Sequence, residues 1–221
     1  MPDHVSVHVP ESGAALRAAV ADDPTSSRDQ LLRRAVVAGG TLVLGGVVVA
    51  GLPRLAASAA QSPAGDAEIF NFALLLEYTQ AALYAEAVDR GELTGELLEF
   101  ATVVAEHERA HVEYLRDALG DGARAEPTTD FGEATADPAA FGAAAVTLED
   151  VAVAAYNGQA GNLTKGALRA AATIVSVHAR HAAWIRSIVG EPPAAQAVDE
   201  PLSAEAAAAR LDETGFLAER R

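Results

Sequence analysis

Cysteine is absent from this chain of 221 residues. That excludes thiol nucleophiles, thiolate metal sites, disulfides and a cysteine-linked lipid anchor, and it leaves the redox compartment open. Aromatic residues are few, at 5 %, and glycine and proline fall mostly between periodic segments, which disfavours strands. Positive charge is the third shortage. Sixteen Lys and Arg stand against 31 Asp and Glu, a formal net charge of −15. Such a surface repels phosphate backbones and anionic membranes, so no nucleic-acid partner is expected. Alanine is plentiful in a chain that is 50 % hydrophobic, a composition that favours helices.

Residues 1–30 are polar and without period, and are expected to be disordered. Arg33 and Arg34 then precede an apolar run, 35–52, and small residues follow from Ala56 to Ala60. A basic flank, an apolar stretch and a small-residue cluster make an export-signal pattern. The arginine pair suggests the twin-arginine route, although here it follows Leu31-Leu32 rather than preceding it. Cleavage at the cluster Ala57-Ser58-Ala59 would start the mature chain near Ala60 or Gln61. The competing reading is an uncleaved anchor, since the run is near the ~18 residues that a spanning helix needs. The expectation is therefore an exported, extracytoplasmic protein, with membrane contact only through this segment. A homo-oligomer is left open.

Residues 61–190 carry four helical patterns. The first, Asp66 to Asp89, places Ile69, Phe72, Leu76 and Leu83 on one stripe and stops before Gly91. The second runs from Thr94 to Leu119. Asp137 and Pro138 give a strong start to a third, with an N-cap and a first-turn proline. Gly142 and the "NGQAG" stretch are expected to kink it or end it early. The fourth follows "TKG" and stops at Gly190. Short turns make each successive pair antiparallel. About 17 residues separate the pairs; at ~3.3 Å each they reach ~55 Å, enough to cross a ~37 Å helix. The expected fold is all-α: a ferritin-like four-helix bundle of two antiparallel hairpins joined by a long crossover. A tail, 191–221, is expected to hold a short helix.

Charges repeat with the hairpins. Glu77 lies seven residues before Tyr84, and Glu149 seven before Tyr156. The second helix carries Glu108-x-x-His111 and the fourth His178-x-x-His181. Glu77 and Glu108 lie 14 and 17 residues either side of Gly91; Glu149 and His178 lie 14 and 15 either side of Leu163. An antiparallel hairpin brings each pair to nearly one level, and i and i+3 share a face. Taken singly, each motif reads as a solvated helix face, and Glu106, His107 and Glu113 are assigned to it. Glu77 differs, because three leucines precede it. Burying several carboxylates without a counter-charge costs several kcal/mol each. Arg109 and Arg180 fall between the paired groups and should point away. A cation resolves the conflict, with Glu77, Glu108, His111, Glu149, His178 and His181 as the candidate metal ligands. Tyr84 and Tyr156 either hydrogen-bond these groups or fill the core with the hydroxyl at a wet edge; the second is the expectation.

The set "NFALLLEYTQAALYAEAV", "AEHERAHVEYL", "LEDVAVAAYNG" and "HARHAAWIR" resembles the ferritin-like superfamily of dinuclear carboxylate proteins. It is most similar to the exported ferritin-like family that includes plant desiccation-related proteins, over roughly residues 66–217. The resemblance implies Glu77 and Glu149 as terminal ligands, Glu108 as a bridge between two metals, and His111 and His181 as one ligand each. His178 departs from the pattern, which has a second bridging glutamate there. A neutral imidazole offers one lone pair, and the carboxylates fall from four to three. The expectation is one divalent ion, or two of unequal affinity, with iron, manganese or zinc suited to the oxygen and imidazole donors. Two functions follow. One is a metal-dependent oxidase acting on iron or manganese with oxygen or peroxide, its catalytic residues unknown. The other is a non-enzymatic, stress-related bundle with a structural or vestigial metal. An iron-storage cage fits less well, since nothing identifies cage contacts.

Overall fold

The computed structural model describes residues 61–218. The expectations for residues 1–60, including the apolar run 35–52 with its export and anchor readings, lie outside the described residues. Five α-helices occur among the described residues: α1 Pro63–Arg90, α2 Gly95–Leu119, α3 Pro138–Gln159, α4 Lys165–Val189 and α5 Ala204–Glu213. The most extensive packing is of α1 on α2 and of α3 on α4. These are the two antiparallel hairpins of a helical bundle, and the fold class is the expected one.

Local signals set the ends. Asp137 caps α3 by accepting the Ala140 N–H at 2.8 Å, and Pro138 fills the first turn. Ser62 caps α1 with Pro63 behind it, and Thr164 caps α4. Gly91 and Gly190 close α1 and α4 in the left-handed region, at φ 75° and 83°, where a side chain would be strained. The crossover carries two 3-10 turns, Gly120–Gly122 and Gly132–Thr135. The tail returns to it: Thr129 and Leu217 form an antiparallel bridge, and the Asp130 N–H donates to the Phe216 carbonyl at 2.9 Å.

α3 passes Gly142 without a break and ends early, as expected: its last α-helical residue is Gln159, inside the NGQAG stretch, and a 3-10 turn, Ala160–Asn162, follows. Gly158 is also a docking position. The Leu202 N–H donates to the Ala154 carbonyl at 3.0 Å, and a methyl group on Gly158 would stand 1.7 Å from the Leu202 carbonyl oxygen. Only a residue without Cβ lets the tail lie this close. The tail then seats α5, which buries Ala204, Ala207, Ala208 and Leu211. Gly158→Ala is expected to destabilise the chain by roughly 1–3 kcal/mol, the usual cost of overpacking, and to open the segment around Leu202 to protease. Urea unfolding with limited proteolysis checks both.

Two apolar clusters fill the bundle. One, toward Gly91, is built around Leu83, Phe100, Phe141, Leu148 and Ile185. The other, toward the start of α1, is built around Ile69, Leu74, Leu115, Leu163 and Ile174. In chain order, Glu108 and His178 each fall between residues of one cluster and residues of the other, and Glu77 and Glu149 lie where the two clusters meet. A layer of ionisable groups therefore crosses the bundle between two apolar ends.

Candidate metal centre

All six candidate ligands meet in that layer. Glu77, Glu108, Glu149 and His178 are fully buried, and His181 nearly so. His111 reaches the edge, its side chain 12 % exposed. Each arrives because its helix places it on the inward face at mid-height. Arg109 and Arg180 on the same turns are exposed, and Arg109 pairs outside with Glu113. Glu106 and Glu113 lie on the solvated face, as their assignment requires.

The contacts divide into two groups. Glu77, Glu108, His111 and His178 each present one donor atom within 4.8 Å of the others, and so do Glu108, Glu149, His178 and His181. Glu108 and His178 belong to both. Glu108 Oε2 lies 3.2 Å from His111 Nδ1, and Glu108 Oε1 lies 3.2 Å from His181 Nδ1. His111 Nδ1 is also 3.2 Å from Glu77 Oε2. His178 Nε2 is 3.2 Å from Glu77 Oε1, and its Nδ1 is 2.9 Å from Glu149 Oε2.

The tyrosines correct the sequence reading. Tyr84 is fully buried and Tyr156 is 6 % exposed, so neither hydroxyl sits at a wet edge. The Tyr84 hydroxyl donates to Glu149 Oε1 at 2.6 Å, and the Tyr156 hydroxyl donates to Glu77 Oε1 at 2.6 Å. The exchange is reciprocal: each hairpin's tyrosine serves the other hairpin's glutamate. Burial, then the neighbouring carboxylate, pushes both phenols well above their usual value, so they remain donors at any physiological pH.

His107 is the residue that sequence reasoning set aside. It is exposed, yet its Nδ1 lies 2.9 Å from His181 Nε2, with the two rings stacked at 5.2 Å. The signal was its place four residues before His111, on one helix face. Through this contact His181 can donate its Nε2–H outward and turn the Nδ1 lone pair inward, which is how a ligating histidine is usually oriented.

Whether these residues suit a metal can be tested on the atoms left over. Among the described residues, Glu108 Oε1 and His181 Nδ1 are buried without a hydrogen-bond partner; they face each other at 3.2 Å without hydrogen-bond alignment. A buried carboxylate oxygen and a buried imidazole nitrogen aimed at one point suit a cation between them. The donor set of oxygens and imidazoles suits divalent iron, manganese or zinc.

Without metal, the layer is held by protons. Burial pushes the Glu77 carboxyl up, but the His178 charge and hydrogen bonds from His111 and His178 hold it well below its usual value. Burial also opposes Glu149, which the hydrogen bond from His178 and the charge of the nearby His181 bring to about 2. Glu108 is pushed up, by burial and by the Glu77 charge, although His178 opposes the shift. Burial lowers all three inward histidines, and the carboxylates overcome it: His111 rises to about 9, His178 rises well above its usual value, and His181 rises. An arriving ion must therefore displace protons. Zinc binding to the full chain at pH 7 is expected to release at least one proton per ion, and affinity should fall steeply as pH drops toward ~6. Calorimetry in buffers of differing ionisation enthalpy checks this.

A family model described as a ferritin-like domain matches residues 65–191, more than half of the chain. No curated protein matches it.

Proposed function

Since the chain belongs to the ferritin-like domain family, we propose that its central Glu/His layer binds divalent metal and supports oxidation of iron or manganese by oxygen or peroxide. The observation that carries this reading is the pair of overlapping donor groups joined through Glu108 and His178, with two buried donor atoms left unpartnered. Glu77, Glu108, His111, Glu149, His178 and His181 would hold the metal, which supplies one-electron redox chemistry when bound. The chain's own residues do the rest. The apolar clusters exclude water from both sides of the layer. Tyr84 and Tyr156 fix the outer carboxylates in place. His111 and His107 mark the side on which the layer approaches solvent, the route for ions and small oxidants. We place the protein outside the cytoplasm, on the leader pattern of its N-terminal segment alone.

The test is oxygen consumption. Full-length chain loaded anaerobically with ferrous or manganous ion is exposed to oxygen or peroxide, and oxidised metal is counted against oxidant used. Turnover above that of the free ion supports the oxidase. Metal binding without turnover favours the second reading, a stress-related bundle whose metal is structural or vestigial. One observation favours that reading: His178 ties Glu77 to Glu149 through its two ring nitrogens, so the layer can balance its own charge without an ion.

A further inference from the structure

His178 stands where the resembled pattern has a bridging glutamate, and a neutral imidazole, with one lone pair, cannot bridge. The structure shows what the ring does instead. Its two nitrogens face opposite donor groups: Nε2 toward Glu77 at 3.2 Å, and Nδ1 toward Glu149 at 2.9 Å and Glu108 at 3.8 Å. The ring is fully buried and held between Tyr156, at 5.8 Å, and His111, at 5.1 Å, measured between ring centres. Glu108 is split in the same sense, with one oxygen toward His111 and the other toward His181. Each donor group then holds two carboxylates and two histidines.

We propose that His178 is a bridging ligand, binding one metal ion through Nε2 and a second through Nδ1. The proposal rests on the metal-centre reading above and adds the number and spacing of the ions. Binding through both nitrogens requires the ring, which carries a proton on each nitrogen in the metal-free layer, to give up both protons to solvent, one as each ion enters. The ring then carries one negative charge. Three carboxylates and one such ring supply four negative charges to two divalent ions, the balance that three carboxylates and a neutral histidine lack. The spacing distinguishes this bridge from a carboxylate bridge. Two metal–nitrogen bonds of ~2.1 Å at opposite ends of an imidazole set the ions roughly 6 Å apart, against ~3.5–4 Å for a carboxylate-bridged pair. Glu108 can follow by giving one oxygen to each ion.

The experiment is a crystal structure of the full chain loaded with zinc, with the ions placed by anomalous scattering, and X-ray absorption on the same sample in solution. The expected result is two zinc ions per chain, roughly 6 Å apart, with one nitrogen of His178 on each. His178→Glu should still hold two, drawn in to ~3.5–4 Å. Two ions at that shorter spacing in the unaltered chain, or a single ion, would overturn the bridge and leave the metal centre standing. No bound zinc would overturn the metal centre as well. If His178→Glu does not fold, the spacing in the unaltered chain decides alone.

Discussion

Glu108→Ala is expected to abolish divalent metal binding altogether, whereas Glu77→Ala and Glu149→Ala should each leave one ion per chain. The difference follows from membership. Glu108 belongs to both donor groups, Glu77 only to the first and Glu149 only to the second. Without Glu108 each group keeps one carboxylate and two histidines, and the atom that joined them is gone. Loss of a single outer glutamate spares the other group whole. Each missing first ligand should weaken its ion by at least ~100-fold, since even partners behind the ligands are worth 10–100-fold. Metal counted by elemental analysis after mild chelation, with circular dichroism to verify folding, reads the result. A Glu108→Ala chain that still holds two zinc ions would refute the shared role of this residue.

The metal-free chain should be most stable between about pH 4.5 and 6.5 and should weaken on both sides, with the larger loss toward pH 9. The signs come from the groups themselves. His111 rises from 6.5 to about 9 on folding, and His178 and His181 rise in the same direction. Their contribution is complete below the unfolded value of 6.5 and is lost as pH rises through the folded values. Glu149 falls from 4.5 to about 2, and Glu77 falls too. Their contribution is present above 4.5 and is lost as pH falls through the folded values. Glu108, which is raised, adds to the alkaline loss and opposes the acid one. The His111 shift alone corresponds to on the order of 3 kcal/mol. Metal reverses the alkaline limb, because the ion replaces the protons that the histidines lose. Urea unfolding in chelator and in zinc, at pH 5.5, 7 and 9, should give slopes of opposite sign. A metal-free chain equally stable at pH 6 and pH 9 would rule out the proton-held layer.

Much of this was legible in the sequence, because it depends on spacing along single helices. Gly91, Asp137, Pro138 and Gly190 mark helix ends through backbone effects that act within a few residues. The level at which Glu77, Glu108, Glu149 and His178 meet follows from counting residues away from the two turns. What was not legible involves a partner on another helix. Periodicity places Tyr84 on an inward face but cannot say that its hydroxyl crosses to Glu149. His107 looked solvated because its exposure is real, and its contact with His181 depends on how α2 lies against α4. The two-sided use of His178 depends on ring rotation, which spacing does not constrain. Gly158 looked like a weak point in α3, because its reason is a carbonyl 44 residues away at Leu202.

The crossed tyrosine contacts have a meaning in terms of symmetry. When residue i of one unit touches residue j of another, and j touches i, the contact is isologous, the kind generated by a two-fold axis. Tyr84 on Glu149 and Tyr156 on Glu77 meet that condition within one chain, so each hairpin presents a self-complementary face. The approximate axis exchanges Glu77 with Glu149 and His111 with His181, and it passes between Glu108 and His178. Glu108 and His178 are exchanged by that axis and each belongs to both donor groups, so histidine in place of glutamate at 178 changes both groups at once. The ligand inventories on the two sides therefore stay matched: two carboxylates and two imidazoles each. Inequality between the two ions would then have to come from the surroundings, above all from His107, which touches His181 and has no counterpart on His111 among the described residues.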